Sequence, residues 1–398
     1  MYNIIYLSTM CDKNVYKQIV KNNGIGISPQ MQNYNSAFYK SLKLQNCKVH
    51  SLSILPYKFK FHEYFVTDNN ALDIPKYMNY KQGKHIGKMH TIINTIKSVN
   101  SIKKSSIQPV VIICDSLNLS LGIVSFYSKY FLKIKTFGIV TDYPDSSYYK
   151  KISFRKKIYK VILLFFLHKY SAYFTLSSYI GEKFKADKMI LKGQIEISPN
   201  NDNILNEAKY NKEVRYAIDG NKIVLYSGSL TYENGIDNLL DAFEIIENES
   251  IELHIYGSGP LSDMVSNYSK NSNKIKFFGF IETENLRILQ ANADMLINPR
   301  PSKQDFVKFS FPSKNIEYMS SGTPLLTTNL YGMNEFNDFI FIIDDESPEG
   351  IANAIIQTFK SINLSDKSSK ALEYIIDNYS TGAAGRRILS FIEEQVRK

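Results

Sequence analysis

The amino-acid sequence predicts an α/β fold built from two Rossmann-like domains, each with a doubly wound parallel sheet. Three observations lead to this prediction. Short apolar runs rich in β-branched residues alternate with longer helical patterns throughout the 398 residues. A chain of this length is typical of two domains of ordinary size. The charge is also divided unequally, because residues 1–200 hold 29 Lys and Arg against 10 Asp and Glu, whereas residues 201–398 hold 19 against 28.

Each half of the chain supplies its own set of predicted strands. The first half contains NIIYLST, VHSLSIL, PVVIICDS, KTFGIVTDYP and AYFTLSS, and the second half contains NKIVLYSGSL, IELHIYGSG, KIKFFGF, ADMLINPR, TPLLTTN and FIFIID. After NKIVLYSGSL, the helical spacing of Ile236, Leu239, Leu240 and Phe243 predicts that these residues are core. Between them lies the polar segment SPNNDNILNEAKYNKE, which is typical of an interdomain linker near residues 199–214. We therefore expect a first domain at residues 1–205, a second at 206–380 and a final helix at 381–398.

The composition and motifs argue against a disordered protein, a structural metal site, a signal peptide and a membrane span. An apolar content of 44% predicts a globular chain with sizeable cores. Cys11, Cys47 and Cys114 form no CxxC pair and the histidines lack metal-binding spacing, so we expect a reducing cytoplasm and no structural metal. The N-terminus lacks the basic region of a signal peptide, and no stretch reaches the roughly 18 apolar residues of a membrane span.

In such sheets ligands bind beyond the carboxyl ends of the strands, so the residues that follow each apolar run are candidates for a site. Gly24 and Gly26 follow the first strand and allow an anion to approach the backbone closely, although a tight turn without a ligand is equally compatible. Asp142 follows the strand KTFGIV and is a candidate for the acceptor side of a reaction, or for the start of a turn.

Three successive strand ends in the second half carry glycine. YSGSL contains Gly228 and Ser229, YGSGP contains Gly257, and GFIETENL contains Gly279 followed by Ile281. Any one of them is compatible with a plain turn, but their recurrence indicates one edge of a ligand-binding crevice.

The segment FSFPSKNIEYMSSGTPLL predicts a helix that begins near Ser310 and Ser313 and ends before a strand. Lys314 lies in its first turn, where a cation is electrostatically unfavourable unless an anion is bound. Together with Arg300, at the end of the preceding strand, Lys314 predicts a positive site of diphosphate size. Glu317, one turn later, is an acceptor that suits a pair of sugar hydroxyls. The alternative is that a serine caps the helix and Glu317 is solvated.

These motifs resemble the nucleotide-sugar domain of the family-4 retaining glycosyltransferases, which have the GT-B fold of two facing Rossmann-like domains. The resemblance rests on YSGSL…NGIDNLLDAF, YGSGP, FFGFI, ADMLINPR and above all FSFPSKNIEYMSSGTPLLTT. The first half is similar more weakly, and SFPSK resembles a variant in a polysaccharide-assembly branch. The resemblance implies that the first domain binds the acceptor, that the second binds the nucleotide sugar, and that the last helix crosses back to the first domain.

The resemblance also implies a set of donor-binding residues: Gly26, Gly228, Ser229, Ile281, Arg300, Ser310, Ser313, Lys314 and Glu317. The second glutamate of the family's Glu-x7-Glu motif, which binds the ribose hydroxyls, falls on Glu317, whereas the first falls on Phe309. Ser229 and Asn234 stand where arginine and lysine are common, so Arg300 and Lys314 are the candidates to supply the missing positive charge. Asp142 and the preceding threonine stand in place of the family histidine.

The implied activity is transfer of a sugar, with retention, from a nucleoside diphosphate sugar to a glycan or lipid-linked acceptor. A UDP-sugar donor is favoured, and the setting is bacterial surface polysaccharide synthesis, as in capsule or exopolysaccharide. The expected catalytic residues are Lys314, which stabilises the leaving diphosphate, and Asp142, which holds the acceptor hydroxyl or the donor sugar. No divalent cation or other cofactor is expected. The alternative is a catalytically silent nucleotide-sugar-binding subunit of a glycosyltransferase complex.

The basic first half predicts a negatively charged partner. Nucleic acid is disfavoured, because this half has no recognised RNA or DNA module and the acidic half would repel a phosphate backbone. The segment FRKKIYKVILLFFLHKY joins a basic cluster to an apolar run that is too short to span a bilayer. Such a helix is typical of a membrane interface, and a buried crossover helix is equally compatible. We expect a cytoplasmic protein, peripheral at the inner face of the cell membrane.

Overall fold

The computed structural model describes residues 2–23, 29–55, 75–78, 84–144, 153–196, 220–247, 250–281, 283–303 and 311–398. The chain divides into two compact units, one formed by Met1–Gln194 with Thr381–Lys398 and the other by Ile195–Ser380. The predicted linker at residues 199–214 lies outside the described residues, as do Gly26, Phe309 and Ser310.

The described residues form strands and helices that alternate along the chain. The strands are β1 (Asn3–Ser8), β2 (Lys48–Ser53), β3 (Lys76–Tyr77), β4 (Val110–Asp115), β5 (Lys135–Val140), β6 (Ala172–Thr175), β7 (Lys188–Ile190), β8 (Lys222–Ser229), β9 (Ile251–Ser258), β10 (Ile275–Gly279), β11 (Met295–Asn298), β12 (Leu325–Thr328) and β13 (Phe341–Ile343). The α-helices are α1 (Lys13–Asn23), α2 (Pro29–Lys43), α3 (Lys84–Ser105), α4 (Leu119–Tyr130), α5 (Phe154–Leu167), α6 (Ser178–Gly181), α7 (Ile236–Ile245), α8 (Ser262–Asn271), α9 (Thr283–Asn292), α10 (Ser313–Met319), α11 (Pro348–Lys360), α12 (Leu364–Tyr379) and α13 (Thr381–Arg397).

Each unit contains one sheet whose described strands all run parallel. The first sheet has the order β3-β2-β1-β4-β5-β6-β7, and the second has the order β10-β9-β8-β11-β12-β13. The strand order reverses between β1 and β4 in the first sheet and between β8 and β11 in the second. These reversals are the switch points at which doubly wound sheets bind ligands. The prediction of an α/β fold with two Rossmann-like parallel sheets is confirmed.

The first sheet is buried on both faces, as expected for parallel strands with crossover helices. Successive residues of β1 point to opposite faces, so that Ile5 belongs to one apolar cluster and Tyr6 to another. The cluster around Tyr6 includes Ala384, Ile388 and Ile392, which recur every fourth residue along α13. The last helix therefore belongs to the core of the first unit.

The second unit has its main core around β8 and β9. The apolar residues predicted to form the buried face of α7, Ile236, Leu239, Leu240 and Phe243, are all inaccessible to solvent and pack in this cluster. The prediction that they are core residues is confirmed.

Helix α1 lies between β1 and the pair Gly24 and Gly26, where the sequence analysis placed no helix. Helix α1 begins after Asp12, whose Oδ1 accepts hydrogen bonds from the backbone N–H groups of Asn14 and Val15 at 2.9 and 3.0 Å. Val15 and Ile19, four residues apart, pack with Leu55 in a small apolar cluster. The glycine pair therefore follows a helix and not the strand itself. In the part of the chain that the structure describes, none of the helices is long and apolar enough to cross a membrane.

We predict that Gly385→Ala destabilises the first unit. A Cβ atom at residue 385 would overlap the carbonyl oxygen of Ser41 and the side-chain amide of Gln45, so α13 has to move away from α2. Such overpacking typically costs about 1–3 kcal/mol. Urea unfolding followed by circular dichroism measures this loss.

Gly382→Ala in the same helix is the matched control, because the nearest atom to its added Cβ is the Arg386 guanidinium at 3.9 Å. Its stability is expected to equal or exceed that of the parent protein. Equal stability of the two variants would contradict the close packing of α13 on α2.

Candidate functional site

The carboxyl ends of β8 and β11 bring predicted site residues together at the switch point of the second sheet. Gly228 and Ser229 end β8, and Arg300 follows β11 by two residues. Gly257 of β9 pairs in register with Gly228, and Gly279 of β10 pairs with Tyr256 of β9. The three glycine-bearing strand ends that the sequence indicated are therefore neighbours along one edge of the sheet.

Two of these glycines permit a close approach that no other residue allows. Gly228 has φ +148° and Gly257 has φ +146°, values that residues with a side chain rarely adopt. A Cβ on Gly257 would overlap the carbonyl oxygen of Gly228. A Cβ on Gly228 would overlap the ammonium of Lys314 and lie 2.9 Å from its Cε. The lysine therefore reaches over the end of β8 because residue 228 has no side chain.

The ammonium of Lys314 lies against Tyr226, a buried residue of β8. Its Nζ donates a hydrogen bond of 2.9 Å to the Tyr226 hydroxyl and lies 4.1 Å from the centroid of the ring. The hydroxyl in turn donates to the carbonyl oxygen of Ser229 at 2.9 Å. An ammonium has three N–H donors, and within the described residues Lys314 has one hydrogen-bond acceptor and no salt bridge.

Burial dominates the electrostatics of this lysine. The pKa of Lys314 is lowered to about 7, because loss of solvent, the largest effect, and the Arg300 guanidinium lower it by more than the Glu317 carboxylate raises it. Burial also raises the pKa of the Tyr226 hydroxyl well above its ordinary value, so tyrosine remains a neutral partner. Without a bound anion, the charged form of Lys314 is therefore costly at this position.

The Glu317 carboxylate is held by one of its two oxygens. The side-chain amide of Gln290, a buried residue of α9, donates to Glu317 Oε1 at 2.8 Å and to the Ser227 hydroxyl at 3.2 Å. The Gln290 carbonyl oxygen accepts a 2.7 Å hydrogen bond from the Thr323 hydroxyl, which fixes the end of α9. Glu317 is half-buried, so its carboxylate is both oriented and partly open to solvent.

Helix α10, which carries Lys314 and Glu317, is attached to β8 by Tyr318. The Tyr318 hydroxyl accepts from the backbone N–H of Ser227 at 2.8 Å and donates to the carbonyl oxygen of the same residue at 3.1 Å. This double contact lies on the residue immediately before Gly228. It fixes the distance between the helix and the end of the strand.

A second buried attachment joins α10 to β11 and β12. Asn298 donates to the Asn315 side-chain oxygen at 2.6 Å, and the Asn315 amide donates to the Thr327 hydroxyl at 3.2 Å. Since all three side chains are buried, these hydrogen bonds are shielded from competition with water.

The start of α10 differs from the alternative in which Ser313 caps the helix. The cap residue is Pro312, which makes no side-chain capping hydrogen bond, and Ser313 is the exposed first residue of a seven-residue helix. Ser313 therefore leaves its hydroxyl at the surface of the site.

Ser229 and Asn234, which replace basic residues of the similar family, contact each other across the loop after β8. Asn234 donates through its side-chain amide to the carbonyl oxygen of Ser229 at 2.9 Å, the same oxygen that Tyr226 contacts. Gly235 has φ +71°, and a Cβ there would overlap the carbonyl oxygen of Pro299. The loop is thus drawn against the end of β11.

Ile281 lies at the β10 side of this edge. It is half-buried and follows Gly279, which has φ +70°. Next to it, Phe278 stacks on Tyr256 with ring centroids 4.8 Å apart, and Phe280 is 77% exposed. An exposed aromatic side chain at the end of β10 is suited to contact a flat ring.

Asp142 belongs to the first unit and is exposed, two residues beyond the end of β5. At the switch point of the same sheet, the sequence interpretation missed Asp115. This buried carboxylate accepts from the Thr9 hydroxyl at 3.3 Å, and burial raises its pKa while hydrogen bonds from Leu117 N–H, Thr9 and Asn35 lower it. Its position directly after PVVIIC was the signal that could have identified it.

Tyr226 and Gln290 contact the predicted site residues Lys314 and Glu317, Tyr318 attaches their helix to β8, and the sequence analysis named none of these three. Nothing in their local sequence marks them, because a tyrosine inside a strand and a glutamine inside a helix resemble ordinary core and surface residues. Among the described residues, no group of three or more His, Cys, Asp or Glu is arranged to hold a metal ion.

Comparison with known proteins finds a family match within the second half of the chain. Residues 209–381 match the family described as glycosyl transferases group 1. An uncharacterized glycosyltransferase of Methanocaldococcus jannaschii is 31% identical over 121 residues, which span 29% of this chain and 30% of that protein. The chain thus matches less than a third of the length of this curated relative.

Solved structures share the fold over the whole chain. The Anabaena protein Alr3699/HepE, solved with UDP, has a TM-score of 0.65 at 11% identity and covers 98% of this chain and 100% of its own. Sucrose-phosphate synthase of Thermosynechococcus elongatus has a TM-score of 0.67 at 13% identity, with 100% of both chains covered. Their similarity supports the GT-B fold class. The Anabaena protein has also been solved with UDP-glucose.

Proposed function

We propose that this protein, whose residues 209–381 match the family of glycosyl transferases group 1, transfers a sugar from a nucleoside diphosphate sugar to a glycan or lipid-linked acceptor. A UDP-sugar is the favoured donor, because a structural neighbour binds UDP and UDP-glucose. In this proposal the second unit binds the donor and the first unit, with Asp142, binds the acceptor.

The single observation that carries the proposal is the environment of Lys314. A half-buried ammonium with one neutral hydrogen-bond partner, near Arg300 and at the switch point of a parallel sheet, is unfavourable in the absence of an anion. A diphosphate would supply acceptors for the remaining N–H groups of Lys314 and for the Arg300 guanidinium. Gly228 would let the phosphate oxygens approach the backbone.

Glu317 is proposed to bind the ribose of the donor. Its Oε1 is occupied by Gln290, which orients the carboxylate, and its second oxygen is available to accept hydrogen bonds from a pair of hydroxyls. Within the second unit, Ser229, Ser313 and Ile281 complete the described part of the proposed donor site.

The proposed chemistry is transfer with retention of anomeric configuration. As the glycosidic bond to the leaving diphosphate breaks, positive charge develops on the sugar ring and negative charge on the diphosphate. Lys314 and Arg300 stabilise the leaving group by their charge, and the Lys314 ammonium needs little reorganisation because Tyr226 already holds it above Gly228. Asp142 is proposed to hold the acceptor hydroxyl or the donor sugar. The proposed cellular setting is synthesis of a bacterial surface polysaccharide.

A catalytically silent donor-binding subunit is the second candidate. It is favoured by Phe309, which stands where the family's first glutamate is expected, and by the uncharged Ser229 and Asn234. Both candidates bind a nucleotide sugar, and they differ in whether the bond to the diphosphate is broken.

We predict that the protein releases UDP from a UDP-sugar and that the sugar keeps its configuration. A panel of α-linked UDP-sugars is incubated with the protein, and proton NMR records the anomer of the sugar released or transferred before mutarotation. The α anomer is expected to appear first. Initial formation of the β anomer would contradict retention, and donor binding without turnover would support the silent subunit.

We predict that Glu317→Ala raises the donor KM or Kd about 5- to 150-fold, because the hydroxyls of a bound ribose lose a charged acceptor that contributes roughly 1–3 kcal/mol. Glu317→Gln is expected to bind with intermediate affinity, since it keeps one acceptor. Isothermal titration calorimetry with UDP measures the affinity of each variant. Glu373→Ala, an exposed residue of α12, is the control that should bind UDP as the parent does. Unchanged UDP affinity of Glu317→Ala would remove this residue from the site.

A further inference from the structure

Helix α5 presents an apolar stripe to solvent. Its members recur at positions i, i+4, i+7, i+8 and i+11, the spacing of one helical face. They are Phe154, Ile158, Val161, Ile162 and Phe165, which are 76%, 46%, 67%, 40% and 51% exposed. A helix whose role is only to cover a sheet turns such a stripe inward.

The inward side of α5 is smaller than the exposed stripe. Leu163 and Leu167 are its buried residues, and Leu164 packs partly against the core of the first unit. The described residues therefore do not fit the alternative of a buried crossover helix. The helix is attached along its second half and leaves its large apolar side chains uncovered.

The neighbouring helix α4 extends this surface. Tyr127, Tyr130 and Phe131 at its C-terminal end are 37%, 41% and 67% exposed. Phe126 joins the two helices, because its ring lies 6.0 Å from that of Phe165 and 4.6 Å from that of Tyr130. The five exposed residues of α5 together with Tyr127, Tyr130 and Phe131 are called the α4–α5 apolar surface.

Positive charge surrounds this surface. Arg155 and Lys157 flank the stripe of α5 on its two sides, and at the other end the Lys169 ammonium lies 4.9 Å from the centroid of the Phe165 ring. Lys129 of α4 donates to the Lys169 carbonyl oxygen at 2.9 Å. Neither helix contains an aspartate or glutamate. A partner must therefore accept apolar side chains and also carry negative charge.

We propose that the α4–α5 apolar surface docks on an anionic lipid membrane. Phe154, Val161 and Phe165 enter the acyl boundary, and the surrounding lysines and arginine contact the lipid phosphates. A helix that lies in the plane of a membrane interface buries its apolar stripe in lipid, so its partner needs no complementary pocket. The α5 stripe lies on a convex helical surface and is suited to this mode of binding. This inference goes beyond the proposed activity and does not depend on it.

The chain contains no tryptophan, so one introduced residue reports directly on its own environment. Val161→Trp places the reporter in the stripe, and Ile362→Trp places it at a residue that is 97% exposed in the other unit. With vesicles of phosphatidylcholine and phosphatidylglycerol, the emission of Val161→Trp is expected to shift to shorter wavelength, and brominated lipid should quench it. Neither change is expected for Ile362→Trp or for pure phosphatidylcholine vesicles.

Vesicle flotation of the full chain measures how much the surface contributes. Phe154→Ser, Val161→Ser and Phe165→Ser combined should weaken binding at least tenfold, with unchanged thermal stability because these side chains are exposed. The matched control combines Leu44→Ser, Ile107→Ser and Ile362→Ser, which removes equally exposed apolar side chains elsewhere. This control should bind as the parent does.

The charge reversal Arg155→Glu, Lys156→Glu and Lys157→Glu should also weaken binding to anionic vesicles, and high salt should weaken binding of the parent. Equal vesicle binding by the parent and the triple-serine variant would overturn the proposal. The proposal would also be overturned if the parent protein did not bind vesicles and light scattering showed a dimer of the parent that the triple-serine variant does not form. That result would assign the surface to a second copy of the chain.

Discussion

The arrangement of the second unit depends on one ammonium group that is kept partly away from water. Lys314 lies between the Tyr226 ring and the bare backbone of Gly228, and burial lowers its pKa to about 7. A neutral hydroxyl is its hydrogen-bond partner within the described residues. A protein stabilises such a group poorly by itself, so the environment of Lys314 is suited to a ligand that brings negative charge.

The surrounding structure keeps that group in position. Tyr318 attaches α10 to the backbone of β8, Asn315 attaches it to β11 and β12, and Gln290 orients Glu317 on the same helix. The contacts of Tyr318 and Asn315 are buried and that of Gln290 with Glu317 is partly buried, so the loss of one partner would leave another unsatisfied. They hold the helix in place, as the proposed preorganised binding of a leaving diphosphate requires.

The sequence could predict the sheets, the core face of α7 and the meeting of Gly228, Arg300 and Lys314, because periodicity and position after a strand determine them locally. It could not predict Tyr226, Gln290 or Tyr318, since their roles arise from packing between elements distant in the chain. Asp115 and helix α1 differ, because local signals mark them: Asp115 directly follows the apolar run PVVIIC, and Asp12 caps the start of α1. Ser229 and Asn234 carry no charge where the family commonly has basic residues, and the structure places the Lys314 ammonium above the end of the same strand.

The central claim is that Lys314 binds the diphosphate of a donor. The proton uptake that accompanies UDP binding tests this claim most directly. At pH 8 a lysine with a pKa of about 7 is largely neutral, and a bound diphosphate would raise its pKa and protonate it. Calorimetry of UDP binding at pH 8, in buffers of different ionisation enthalpy, should show uptake approaching one proton per UDP bound. Lys314→Met should lose this uptake. The same enthalpy in every buffer, or equal uptake by Lys314→Met, would contradict the account.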